Sequence, residues 1–271
     1  MALKLMYITN DPEVAIIAEN AGVDRIFIDM EYIGKAARQG GMDTVQSHHT
    51  VEDVRRLREV VKESELMVRV NPIHGDSPDW TSSEEEISAV IIAGADLVML
   101  PYFKTADEVR RFIRIVNGRC RTMLLLETPE AAAALDEILE IPGIDEIHIG
   151  INDLSLGMGK IFMFELMTNG TVEELCLKIR RKGIPYGFGG IAAIGTGTLP
   201  AEVILKEHYR IGSSMVILSR AFLNTSVVTN PEVIREKFET GVRILRAFEK
   251  EAAVHSNYFE ENRLLAEKKV L

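Results

Sequence analysis

Short runs of Val, Ile, Leu and Met recur along the chain, separated by amphipathic stretches of helical period, the pattern of parallel strands covered by helices. The runs predict strands at Leu3–Ile8, Arg25–Asp29, Leu66–Val70, Leu97–Pro101, Thr122–Glu127, Glu146–Gly150, Pro185–Phe188 and Ser214–Leu218. Helices are expected at Pro12–Asn20, Val51–Lys62, Ser83–Ile92, Ala106–Val116, Pro129–Leu139, Val172–Lys182 and Ala201–His208. Three of them end in a small-residue break, at Gly22, Gly94 and Gly183, where glycine supplies a left-handed cap. Eight strands in alternation with helices favour a closed (β/α)8 TIM barrel of the α/β class over an open doubly wound sheet. Beyond Thr229 the repeat stops, and Pro231–Glu249 and Tyr258–Lys269 read as further helices. Residues 1–228 are thus expected to form the barrel and residues 229–271 a helical extension of the same domain, capping it or reaching a neighbouring subunit.

Composition narrows the function. The chain has 271 residues, 46% hydrophobic, which suits one barrel of about 250 residues. Asp and Glu outnumber Lys and Arg by 41 to 31, a net charge of -10 that repels a phosphate backbone, so nucleic acid is not an expected partner. Cys120 and Cys176 form no CxxC pair or disulfide framework, which fits a reducing cytoplasm. No stretch approaches the roughly 18 uncharged apolar residues of a membrane span, and no membrane association is expected.

Active sites of such barrels lie at the carboxy-terminal strand ends. There the second strand, IFIDMEY, delivers Asp29 and Glu31, the third Arg69, the fifth Glu127, and the segment after the sixth Gly150, Asn152 and Asp153. Glu127 follows three leucines, and an ionised carboxylate at the rim of an apolar strand needs a compensating cation or several donors. An ion pair with Arg69 would be purely structural. With Asp153 as a second carboxylate, the pair instead suits Mg2+ or Mn2+, which take oxygen ligands and retain waters. Gly150 permits a tight turn that aims backbone N–H groups at an anion. Arg69 supplies a bidentate partner for a carboxylate or enolate oxygen, with Asp29, Glu31, Gly150, Asn152 and Asp153 as further candidates to hold a 2-oxo acid.

At these residues the chain resembles the HpcH/HpaI (4-hydroxy-2-oxoheptanedioate) aldolase and citrate lyase beta-subunit family, class II pyruvate aldolases of the phosphoenolpyruvate/pyruvate superfamily. The likeness covers most of the chain: DMEY at Asp29–Tyr32, VRVNP at Val68–Pro72, AGADLVMLPYFKTADEV at Ala93–Val109, LLLETPEAAAALDEIL at Leu124–Leu139 and PGIDEIHIGINDLSLGMG at Pro142–Gly159. The resemblance implies Glu127 and Asp153 as ligands of the divalent metal, Arg69 on the pyruvyl oxygen, and aldol cleavage or condensation with pyruvate as one partner and an aldehyde as the other. It also implies a homo-oligomer, trimer or hexamer, exchanging a carboxy-terminal helix. The family's proton-handling histidine after D-x-E and its aspartate before the fourth strand are replaced by Tyr32 and Ile92. Tyrosine, with a pKa near ~10, is a poor base at neutral pH.

The long second loop, Ile33–Thr50, offers His48 and His49 as replacements, or as solvated residues before a helix capped by Thr50 and Asp53. Lys35 and Arg38 in that loop either attract a second carboxylate or phosphate or are merely solvated. Gly187–Pro200 reads as a mobile lid or, more weakly, a phosphate cradle; His148 as a packed residue; His74 and Trp80 as candidates for the mouth. The reading that follows is a metal-dependent carbon–carbon lyase acting on a 2-oxo acid. Its alternatives are acyl-thioester cleavage of the citrate-lyase or malyl-CoA-lyase kind, and a metal and oxo-acid binding protein without aldolase activity.

Overall fold

The computed structural model describes residues 2–35, 47–254 and 257–270. Eight strands, β1 (Lys4–Ile8), β2 (Arg25–Asp29), β3 (Glu65–Arg69), β4 (Leu97–Leu100), β5 (Arg121–Leu126), β6 (Glu146–Ile149), β7 (Tyr186–Ile191) and β8 (Met215–Leu218), close into one barrel in chain order. Parallel pairing of β1 with β8 completes the ring. The fold is a (β/α)8 TIM barrel with additional carboxy-terminal helices.

Around the strands lie α1 (Pro12–Asn20), α2 (Val51–Val60), α3 (Ser83–Ile92), α4 (Ala106–Val116), α5 (Pro129–Ala133), α6 (Leu135–Ile138), α7 (Ile151–Gly157), α8 (Glu165–Thr168), α9 (Thr171–Arg181) and α10 (Ala201–Ile211). Each long helix shows why it forms where it does. In α4 the buried residues are Ala106, Val109, Phe112 and Val116, one helical stripe, and Thr105 and Glu108 close a reciprocal capping box at its start. Gly22, Gly94 and Gly183 all take the left-handed conformation expected of the breaks. The single helix expected over Pro129–Leu139 is distorted at Ala134, but the Ala134 N–H still reaches Glu130 O at 3.0 Å and the Ile138 N–H reaches Ala134 O at 3.0 Å. It is one bent helical stretch divided into α5 and α6.

Alternation along the strands sorts the barrel interior into layers. Arg25, Phe27 and Asp29 point inward from β2, and Glu65, Met67 and Arg69 face them in register from β3. At the amino-terminal end Arg25 is fully buried, with bidentate contacts of 2.6 Å to Glu146 and a 2.6 Å contact to Glu65. The middle is apolar, filled by Met6, Phe27, Met67, Met99, Met123, Leu125 and Met215. Buried His148, in register with Leu125, is a polar exception at this level, and further polar residues return at the carboxy-terminal mouth.

The extension consists of α11 (Pro231–Val254) and α12 (Phe259–Val270). The first packs against α1 and α10 and the second against α8 and α10. Phe238 of α11 meets the Tyr7 ring edge-on at 4.8 Å, and farther along Glu249 accepts the Leu3 N–H at 2.8 Å, so α11 runs along the outer side of β1 from mouth to base. No helix among the described residues is long and apolar enough to cross a membrane.

Candidate active site

Two cavities open at the mouth and share Arg69 and Ile217. The smaller, of about 200 Å3, is bounded by Arg69, Glu127, Gly150, Asn152 and Asp153 over a floor that includes Phe27, Met99 and Leu125. These are the strand-end residues the sequence singled out. Glu127, directly after β5, is almost fully buried and accepts the Tyr102 N–H at 3.0 Å. Tyr102 achieves this in the left-handed region, φ 47, which is costly for a residue with a Cβ. The loop after β4 is thus turned toward the Glu127 carboxylate. Thr128 fixes the same loop from the other side by donating to Phe103 O at 2.7 Å.

Gly150 works differently from the turn expected of it. Its φ is -81, open to any residue, and it caps α7, a short helix the sequence reading missed because Asn152, Asp153 and Gly157 are poor helix formers. The glycine is demanded by proximity: a Cβ there would stand 2.7 Å from Glu127 Oε2 and 2.8 Å from Glu127 Cβ. Asp153 lies in the first turn of α7, half-buried, on the same cavity as Glu127. Among the described residues no cluster of three or more His, Cys, Asp or Glu is placed to hold a metal. The donor set of this cavity is therefore two carboxylates, compatible with a hard cation that fills its other positions with water and substrate oxygens.

Arg69 pairs with Asp29 and approaches Glu31. Its Nε and Nη2 donate to Asp29 Oδ1 and Oδ2, each at 2.8 Å, and Nε lies 3.5 Å from Glu31 Oε2. The guanidinium sits over the Phe27 ring, 5.5 Å from its centroid. Burial opposes its charge, but Asp29, Glu31 and Glu127 raise its pKa above the ordinary guanidinium value. Burial likewise disfavours the Asp29 carboxylate, yet Arg69 and then Lys35 hold it far below the usual carboxylate range. Lys35, read from sequence as a loop cation, is buried, with Nζ 2.8 Å from Asp29 Oδ2 and 3.7 Å from Glu31 Oε2.

The two loop histidines part company. His48 is exposed and lines neither cavity. His49 lines the larger cavity and its Nδ1 accepts the Asp29 N–H at 3.0 Å. Burial lowers its pKa, against the pull of Asp29 and Asp53. Since a backbone N–H can only donate, the neutral ring carries its proton on Nε2. Tyr32 is 43% exposed, lines neither cavity, and burial with Glu86 raises its hydroxyl pKa further. Thr50 and Asp53 form the anticipated capping box. Arg38 lies outside the described residues.

Several other expectations change. Gly187, Gly189 and Gly190 belong to β7 rather than to a lid, where a Cβ on Gly187 would lie 2.3 Å from Met215 O and 3.0 Å from His148 Nδ1. His148 is buried on the floor, its Nε2–H donating to Gly189 O at 3.0 Å, and burial pushes its pKa down to about 4. His74 braces its own loop, with Nδ1 2.7 Å from Pro72 O and Nε2 2.8 Å from Thr81 O. Trp80 lines neither mouth cavity. The sequence reading also overlooked Glu86, a buried acid whose pKa burial raises and which accepts from Asn71 Nδ2 at 2.8 Å. Spacing held the clue: Ser83, Glu86, Ile87 and Val90 form the buried stripe of α3.

The larger cavity, of about 600 Å3, opens between the ends of β1, β2 and β8. Its wall includes Asn10, Lys35, His49, Arg220 and Asn224, and Ile234 of α11.

A closed eight-stranded barrel whose carboxylates and arginine converge at the carboxy-terminal mouth is the architecture of a (β/α)8-barrel enzyme. The family model for HpcH/HpaI aldolase/citrate lyase matches residues 4–162. The chain belongs to that family and is a carbon–carbon lyase. It is 24% identical over 210 residues to a 2-keto-3-deoxy-L-rhamnonate aldolase of Shigella dysenteriae, covering 66% of this chain and 71% of the relative. A hydroxypyruvate/pyruvate aldolase of Roseovarius nubinhibens is 25% identical over 144 residues, 42% of this chain and 55% of that relative. Among solved structures, an HpcH/HpaI aldolase from Desulfitobacterium hafniense superposes with a TM-score of 0.63 at 18% identity, over 87% of this chain and 93% of that one. A family protein from Burkholderia cenocepacia does so with a TM-score of 0.64 at 14% identity, over 86% and 95%. At these identities the structural likeness speaks for the fold.

Proposed function

We propose that this protein is a divalent-metal-dependent aldolase that makes or breaks the bond beside the enolate of a 2-oxo acid, with pyruvate as the oxo-acid partner. The observation that carries this reading is the meeting of Glu127, Asp153 and Arg69 on one cavity with an apolar floor. Glu127 and Asp153 are the residues that would hold Mg2+ or Mn2+, and the ion supplies Lewis-acid stabilisation of the ketone oxygen. Arg69, kept charged by Asp29 and Glu31, orients the acid through hydrogen bonds, while Gly150 and Asn152 form the wall opposite. Phe27, Met99 and Leu125 exclude water beneath the reacting carbon.

In cleavage the bond between C3 and C4 breaks, and its electron pair stays with the oxo-acid fragment as an enolate. The C4 hydroxyl loses its proton as the aldehyde forms, and C3 takes one proton to become the methyl group. His49 presents an Nε2–H, which suits it to the oxygen of the aldehyde, whereas its Nδ1 lone pair is committed to the Asp29 amide. Tyr32 and His48, both off the cavities, are assigned no proton-transfer role. Calorimetric titration with Mn2+ tests the ligand assignment: one site per chain is expected in the wild type, weakened at least about tenfold in Glu127→Gln and in Asp153→Asn. Unchanged affinity in both variants would remove these residues from the metal site.

A further inference from the structure

Glu86 is a buried carboxylate that lines neither cavity and takes no part in the mechanism above. It sits in the first turn of α3, where a helix N-terminus favours negative charge. Its partner is Asn71, two residues beyond Arg69 at the end of β3. Asn71 Nδ2 donates to Glu86 Oε1 at 2.8 Å, and the Asn71 N–H is shared between Oε1 at 3.2 Å and Oε2 at 3.4 Å. Asn71 is itself buried, so its donors are spent on a single carboxylate away from water.

This contact decides which way the Asn71 amide points. A carboxylate accepts, so the NH2 group faces Glu86 and Oδ1 faces the other way. There Oδ1 accepts two consecutive backbone N–H groups, those of Tyr32 and Ile33, each at 2.9 Å. Backbone N–H groups only donate, so the two ends of the amide agree.

Those two N–H groups open the turn that follows β2. The Lys35 N–H closes it on Tyr32 O at 3.2 Å, across Gly34 in the left-handed region at φ 74. Asn71 thus fixes the start of the turn, and at its end Lys35 Nζ returns to Asp29 Oδ2 at 2.8 Å. Immediately before the turn, buried Glu31 places Oε2 3.5 Å from Arg69 Nε and 3.7 Å from Lys35 Nζ. Both charges that join the Arg69–Asp29 pair from this segment therefore flank a turn held by one asparagine, which is in turn oriented by one glutamate.

We propose that Glu86 is a positioning residue for the oxo-acid site: its carboxylate orients Asn71, Asn71 holds the turn after β2, and the turn delivers Glu31 and Lys35 to Arg69 and Asp29. The inference rests on the aldolase reading above and adds a residue that acts on the site without touching it.

The test compares Glu86→Leu, which fills similar space but accepts no hydrogen bond, with Glu86→Gln, which keeps one accepting oxygen. The first readout is hydrogen–deuterium exchange of the peptide spanning residues 29–35. Tyr32 is 43% exposed, so protection of its amide reports the Asn71 contact rather than burial of the residue. Wild-type Tyr32 and Ile33 amides are expected to exchange at least about a hundredfold more slowly than an open chain, and at least about tenfold faster in Glu86→Leu than in wild type. The peptide of β5 serves as the control and is expected to stay unchanged. The second readout is deuteration of the pyruvate methyl group by the Mn2+-loaded proteins. In Glu86→Leu the half-saturating pyruvate concentration is expected to rise about tenfold, with the rate at saturation within about threefold of wild type. Glu86→Gln is expected to restore both readouts to within about threefold of wild type.

Open-chain exchange of Tyr32 and Ile33 in the wild type would overturn the inference even if Glu86→Leu failed to fold. So would wild-type pyruvate dependence in Glu86→Leu, or a Glu86→Gln variant no better than Glu86→Leu. Deuteration by the wild type with any of these outcomes refutes the positioning role alone. No deuteration by the wild type refutes the aldolase reading and this inference with it.

Discussion

Gly150 and Glu127 are packed so closely that a methyl group on the glycine would stand 2.7 Å from the Glu127 carboxylate oxygen. With φ at -81 the backbone accepts alanine without strain, so substitution acts through the side chains it meets, Glu127 foremost and Leu125 Cδ1 at 3.3 Å. Gly150→Ala is expected to lower lyase activity by two orders of magnitude or more while costing about 1–3 kcal/mol of stability. Steady-state kinetics beside thermal unfolding checks this, and near-wild-type kinetics in a folded variant would show that the position of Glu127 does not matter.

Asp29 joins the cations Arg69 and Lys35 in a buried cluster. Asp29→Asn leaves two buried positive charges short of a partner and is expected to cost about 3–5 kcal/mol in denaturant unfolding. The sign of its pH effect follows from the depressed folded pKa: the contribution is present above the ordinary carboxylate value and is lost as pH falls below it.

His148 and His208 make a further acid sensitivity. Burial pushes their pKa values from 6.5 down to about 4 and about 3, and His148 Nδ1 and His208 Nε2 have no hydrogen-bond partner among the described residues. The unfolded chain therefore binds more protons below about pH 6.5, and stability declines as the pH falls toward the folded values. A loss of about 3 kcal/mol between roughly pH 7 and pH 5 is expected. His208→Leu should remove about half of that slope; an unchanged slope would show that His208 is not the buried neutral group described.

At the opposite end of the barrel, Arg25 bridges Glu65 and Glu146 from a fully buried position. Arg25→Met is expected to destabilise by about 3–5 kcal/mol with intact kinetics in the fraction that folds, because the bridge lies beneath the apolar middle layer. Replacing Glu146 by Leu in the same chain should recover part of the loss. If the double variant is weaker than the single one, the bridge contributes more than the mutual neutralisation of its charges.

The barrel was legible because periodicity is local: apolar runs at strand spacing and glycine breaks such as Gly94 need no knowledge of distant contacts. Glu127, Arg69 and Asp153 stood out because each interrupts or follows an apolar run at a strand end. What the sequence hid depends on contact across elements. Nothing local distinguishes Lys35, buried against Asp29, from a solvated loop lysine, or exposed His48 from its neighbour His49. The glycines of β7 looked like a flexible loop because the groups that exclude a side chain, Met215 O and His148, come from other strands. Glu86 was within reach through the α3 stripe, since of three consecutive glutamates it alone shares the spacing of Ser83 and Val90.

The central claim is that Glu127 and Asp153 support formation of a pyruvate enolate, and exchange of the pyruvate methyl protons tests it without an aldehyde. NMR of pyruvate in D2O with the Mg2+- or Mn2+-loaded protein is expected to show deuteration that chelation abolishes. Glu127→Gln and Asp153→Asn should slow it by about a hundredfold or more. Exchange at the uncatalysed rate with either metal, or wild-type exchange in both variants, would contradict the account.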